Sequence, residues 1–98
     1  MILQHALLDV VPGEEERFER AFRSARPIIS SKPGCRSVRL ERCIESPARH
    51  LLLVEWERVE DHTERFRGSN EYQEWRQLLH HFYDPFPTVG HYEQVPIP

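Results

Sequence analysis

The chain carries six histidines and ten aromatic side chains, and three stretches gather most of the groups that could do chemistry. His62 shares a helical stripe with Val59 and Phe66, so its ring is expected to face inward. Arg76, His80 and Tyr83 follow at steps of four and seven, which puts a guanidinium, an imidazole and a phenol on one side of a helix. That side can line a pocket or face solvent. Leu78 to Tyr92, LLHHFYDPFPTVGHY, holds three histidines, four aromatics and two prolines in fifteen positions. Imidazoles titrate near neutrality, so they suit proton transfer or metal ligation. For a metal the spacing is poor. His80 and His81 are adjacent and point to different sides, while His5 and His91 have no carboxylate or thiol beside them, so no metal is expected. There is no Gly-rich phosphate loop, CxxC, HExxH or GxSxG.

The elements that must position these groups fit a single domain over residues 1–98, the whole length of the chain. A net charge of −3 argues against nucleic acid or an anionic membrane as the main partner. MILQHALLDVV lacks a basic leader segment, and no stretch approaches ~18 apolar residues, so neither a signal peptide nor a membrane span is expected. Cys35 and Cys43 fall on one strand, too far apart along it to be joined. Two unpaired thiols suit a reducing cytoplasm.

Ile2–Val11 reads as a strand closed by Pro12-Gly13. Phe18, Ala21, Phe22, Ala25 and Ile29 then recur at helical spacing, with Pro27 expected to loosen the last turn. Cys35–Glu45 and His50–Glu57 read as a hairpin of strands. In the first of these, Val38, Leu40 and Ile44 face one way and Cys35, Ser37, Arg39 and Glu41 the other. A short helix ends at Gly68, and Asn70 with Gln73 offers a capping box for a second helix whose stripe is Tyr72, Trp75, Leu79 and Phe82. Asp84-Pro85-Phe86-Pro87 forces a stiff, extended exit, since residues before proline avoid helical geometry. It reads as an aromatic flap over a cavity or as a seal on a subunit edge. Thr88–Val95 is the last strand.

The order β-α-β-β-α-β is the split pattern of α+β, ferredoxin-like folds. Two helices cover one face of such a sheet. Leu51 to Val54 and Ala6 to Leu8 are apolar on both faces, so a second copy is expected over the open face as a homodimer.

LLLVEWERVEDHTERFRGSNEYQEWRQLL has a strand ending in Glu-Trp, a short helix with a polar ring residue six positions after the Trp, then S-x-x-Y and a longer helix. In these features, and in element order from Ile2 to Val95, the chain resembles the antibiotic biosynthesis monooxygenase domain family, small dimeric α/β-barrel proteins. Haem-degrading members use an Asn, a Trp and an axial His where this chain has Ala6, Phe66 and Arg76, so the resemblance does not extend to haem cleavage. Cofactor-independent quinone-forming members are more similar. Their Trp is matched by Trp56, their helix Arg by Arg76 and their pocket Tyr by His62, while their strand Asn falls on Leu52.

By that resemblance the function is oxidation of a small electron-rich aromatic or polyketide-like compound by O2, with no cofactor. His62 would be base or proton relay and Arg76 the oxyanion holder. Trp56, Phe66, Tyr72, Trp75, His80 and Tyr83 would line the substrate site. The rival reading is a non-catalytic barrel that binds a small metabolite, with His62 as a core residue.

Overall fold

The computed structural model describes residues 1–98. Its elements are β1 (Ile2–Asp9), α1 (Glu15–Ser30), β2 (Cys35–Arg42), β3 (Arg49–Trp56), a π turn (Asp61–Phe66), α2 (Glu71–Leu79), a 3₁₀ turn (His80–Phe82) and β4 (Val89–Glu93). The four strands form one antiparallel sheet in the order β2-β3-β1-β4. This is the expected α+β, ferredoxin-like arrangement. No helix is long and apolar enough to cross a membrane.

Strand alternation decides what each face holds. Gln4, Ala6 and Leu8 of β1 and His50, Leu52, Val54 and Trp56 of β3 are buried under the helices. Phe18, Phe22, Ala25 and Ile29 meet them from α1, and Trp75 and Leu79 from α2. The odd positions point to the other face, which no helix covers. There Leu3, Leu7, Leu51, Leu53 and Tyr92 remain half-buried or exposed.

Several boundaries differ from expectation for local reasons. β1 stops at Asp9, and Val10 instead bridges to Tyr83. β2 stops at Arg42, which leaves Ile44 exposed beyond it. A bulge between Cys35 and Ser37 turns Cys35 to the inner face with Val38 and Leu40. Both cysteines are free. The Asn70 capping box does not form, because Asn70 already has helical dihedrals and its side chain makes no cap bond. Helix α1 runs through Pro27 to Ser30.

At the β2–β3 end, Glu19 of α1 accepts the Arg42 Nε–H at 2.8 Å and lies 2.7 Å from His50 Nε2. Arg42 chiefly, and His50 after it, hold the Glu19 carboxyl down to about 2 against the effect of burial. At the other end Gly34 has φ of +86° and lies so close to Asp61 that any Cβ would overlap its carboxylate. Buried Asp61 accepts the Arg58 N–H at 3.1 Å, and the Glu57 N–H donates to the Gly34 carbonyl at 2.8 Å. Gly34→Ala should therefore cost more than the ~1–2 kcal/mol of the left-handed backbone alone, because buried Asp61 must also move. Urea unfolding checks it, and an unchanged midpoint would show that the turn relaxes freely.

Candidate functional site

A cavity of about 360 Å³ lies between the inner sheet face and the helices. Its floor is Gln4, Ala6 and Leu8 of β1, Leu52 of β3 and Val89 of β4. The π turn contributes His62, Phe66 and Arg67; α2 contributes Tyr72 and Trp75. His80 and Tyr83 enter from the 3₁₀ turn and its exit, and Phe86 and Pro87 close one side. The proline-rich segment is thus a wall of the cavity. Phe66 meets Tyr72 and Trp75 edge-on at 5.2 and 5.6 Å, and Phe86 meets His80 at 5.0 Å. The lining is mostly aromatic and aliphatic, with Gln4, His62, Arg67 and His80 as its polar groups.

The polar centre is His62. Its ring stacks on Trp56 at 5.5 Å, and Trp56 in turn donates its Nε1–H to Gln4 Oε1 at 2.9 Å. The Nδ1 of His62 lies 2.8 Å from Nε2 of His91, so one ring donates and the other accepts. No buried polar side-chain atom lacks a partner. Nε2 of His62 bonds nothing in the protein, so it opens into the cavity that the ring lines.

Burial first, then the Arg67 charge and His91, push the His62 pKa down to about 3. Burial and Arg67 lower His91, and burial and Arg76 lower His80. Burial, with Tyr72 nearby, pushes the Tyr83 phenol up. Around neutral pH the lining rings are therefore uncharged. Arg67 supplies the single full charge among the lining residues, and none of them is a carboxylate.

His62, Phe66, Tyr72, Trp75, His80 and Tyr83 are brought together as the sequence suggests. Two expected members are elsewhere. Trp56 is fully buried behind His62 and supports it without lining the cavity. Arg76 is exposed on α2, where its Nη1–H donates to Gln73 at 3.4 Å. Helix α2 ends at Leu79, with the His80 N–H still bonded to the Arg76 carbonyl, and the chain then tightens into a 3₁₀ turn, so the α spacing holds from Arg76 to His80 but not on to Tyr83.

Sequence reasoning missed Gln4, Arg67 and His91. Gln4 had a readable signal, as a lone amide at an inward position between apolar neighbours. Arg67 had none. The Arg67 N–H bonds the His62 carbonyl at 3.1 Å, five residues back, and this wider π turn brings residue i+5 round towards i. His5 and His91 lie on neighbouring strands as expected but on opposite faces, His5 beside Tyr92 and His91 beside His62. No three His, Cys, Asp or Glu side chains converge where they could hold a metal ion.

The profile of the family described as antibiotic biosynthesis monooxygenase matches residues 1–78. YczJ, an uncharacterized protein of Bacillus subtilis (strain 168), is 55% identical over 97% of this chain and 100% of its own length. A crystal structure from Bordetella bronchiseptica, provisionally described as an antibiotic biosynthesis monooxygenase, is 40% identical with a TM-score of 0.92, covering 97% of each chain. A Nitrosomonas europaea protein with the same provisional description superposes at 0.83 with 17% identity, over 98% of this chain and 100% of that one, a likeness of fold alone.

Proposed function

Because this chain belongs to the antibiotic biosynthesis monooxygenase family, we propose that its cavity oxidises a small electron-rich aromatic compound with O2 and no cofactor. The observation that carries this reading is that His62 lines the cavity with its Nδ1 held by His91 and its Nε2 unbonded within the protein. A ring methylene conjugated with a ring ketone, as in an anthrone, enolises, and His62 Nε2 takes the enol proton. The enolate passes one electron to O2, and the radical pair closes a C–O bond to give a peroxide anion. Return of the proton gives a hydroperoxide that loses water and leaves a carbonyl, so CH2 and O2 become C=O and H2O. Water exclusion by Phe66, Trp75 and Phe86 keeps the anion reactive.

A ring that protonates only near pH 3 is a weak base alone. In the tautomer with His62 donating Nδ1–H, it can give that proton to His91 as it gains one at Nε2. The positive charge then sits on half-exposed His91 rather than on desolvated His62. His91 is a positioning and relay residue in this scheme.

An oxygen electrode tests the reading with an anthrone, which carries that methylene, and with a naphthohydroquinone, whose oxidation by O2 would give the quinone and H2O2. Protein-dependent O2 uptake is expected. No uptake above buffer with either would favour the second reading, a metabolite-binding barrel, which the low proton affinity of His62 supports.

The same reading includes a homodimer formed through the uncovered sheet face. Leu3, Leu7, Leu51, Leu53 and Tyr92 form an apolar surface there, and an identical face is the simplest cover.

A further inference from the structure

We propose that this cavity selects ligands carrying one negative charge, a ring carboxylate that docks on Arg67 while the aromatic body lies against Phe66 and Trp75. The inference rests on the ligand-site part of the function proposed above and not on the oxidation step. Its first support is charge. The chain has sixteen acidic side chains and a net charge of −3, yet no acidic residue lines the cavity and one arginine does. The Arg67 guanidinium forms no ion pair with any carboxylate of the chain, whereas Arg65, two positions earlier, pairs with Asp61 at 3.4 Å.

Geometry adds the second support. In an α-helix, residue 67 would lie well round the cylinder from residue 62. The π turn carries Arg67 onto the side of His62, where its charge depresses both His62 and His91. Arg67 is exposed, so it lines the cavity from its open side, where no carboxylate of the chain neutralises it. An arriving carboxylate accepts from its planar fork, and it meets no acidic side chain among the lining residues.

The kind of anion follows from what is missing. One guanidinium lines the cavity, without a second cation or a glycine-rich run of amides, so the site suits a monoanion better than a phosphate. Size sets the body. A dry cavity of about 150 Å³ takes one benzene ring, so about 360 Å³ accommodates two fused rings with substituents. Both His62 and Arg67 line the one cavity, so a hydroxyl offered to the first and a carboxylate offered to the second can be substituents of one fused-ring guest.

Isothermal titration calorimetry with 1-hydroxy-2-naphthoate and its neutral amide, 1-hydroxy-2-naphthamide, tests this. The carboxylate should bind about tenfold tighter or better, as a partly exposed charge-assisted pair gives, and the preference should shrink with added salt. Arg67→Gln should bring the two affinities within about threefold. Arg76→Gln, on the exposed side of α2, should leave the preference intact. Equal binding of the two compounds by the parent would overturn the proposal. So would a preference that survives Arg67→Gln, or no binding of either compound at about 1 mM. Circular dichroism confirms that each variant is folded. Selective binding without O2 uptake would sink the oxidation step and leave the anion site standing. O2 uptake without charge selectivity would do the reverse.

Discussion

Leu51→Asp should turn the proposed dimer into a folded monomer, while Leu52→Asp, one residue along the same strand, should unfold the chain. The two side chains have similar neighbours in sequence and opposite fates in the sheet. Leu52 is 5% exposed on the inner face and lines the cavity. A carboxylate there is desolvated among Ala6, Leu8 and Val89 and costs about 3–5 kcal/mol, which a chain of this size does not tolerate easily. Leu51 points to the uncovered face, paired with Leu7 on one side and Glu41 on the other. Asp at that position faces water in a monomer and is tolerated. In a sheet-to-sheet dimer it is desolvated in both copies beside Glu41, so association should weaken by on the order of 10³-fold. Light scattering should give twice the 11.7 kDa chain mass for the parent and the single mass for Leu51→Asp. A monomeric parent, or a variant that stays dimeric, would remove this face as the interface.

His62→Phe should lower oxidation by about 10²-fold, the usual contribution of a positioned base, with the fold retained. Its pH behaviour separates catalysis from packing. Folded His62 protonates near pH 3, against 6.5 in the unfolded chain. Between those values the unfolded chain holds the extra proton, so stability falls as pH drops from 6.5 toward 3. The slope from this residue approaches ~1.4 kcal/mol per pH unit at most. His80 and His91 are shifted the same way and add to it. Phe at 62 removes its share, so the variant should lose less stability than the parent between pH 6.5 and 5. That window lies above the range where Glu19 contributes, since its shift runs from 4.5 to about 2. The sequence alone suggests activity rising through the histidine range. With His62 already neutral there, the parent's rate should instead be level from about pH 5.5 to 8. A clear rise across that interval, absent in His62→Phe, would show the ring titrating near 6.5 and refute the desolvated-pair account. If His62→Phe oxidises within threefold of the parent, the ring is core packing only.

Most of the fold was legible because burial here follows simple periods. Phe18, Phe22, Ala25 and Ile29 read as one helical stripe, and Leu52, Val54 and Trp56 as one strand face. The uncovered sheet face was readable from the same alternation. What failed were the inferences that carried ideal α spacing past the end of a helix or through the π turn. The step from His80 to Tyr83 presumes continuous α geometry, and a 3₁₀ turn intervenes. Arg67 looked remote from His62 until a π turn brought it round. Contact across 29 residues between His62 and His91 depends on β4 lying beside β1, with His91 opposite Gln4. Topology supplied that neighbourhood, but which of His5 and His91 faced inward depended on register.

The indole rings have an optical consequence. The chain has two tryptophans. Trp75 lines the cavity, and Trp56 lies flat against His62. Neutral imidazole quenches indole emission weakly and imidazolium quenches it strongly, so a proton arriving on His62 darkens Trp56. An aromatic guest against Trp75 removes solvent from that ring and shifts its emission band. All tryptophan light from this molecule thus originates beside the cavity, which makes the unlabelled chain its own spectroscopic reporter of occupancy and protonation.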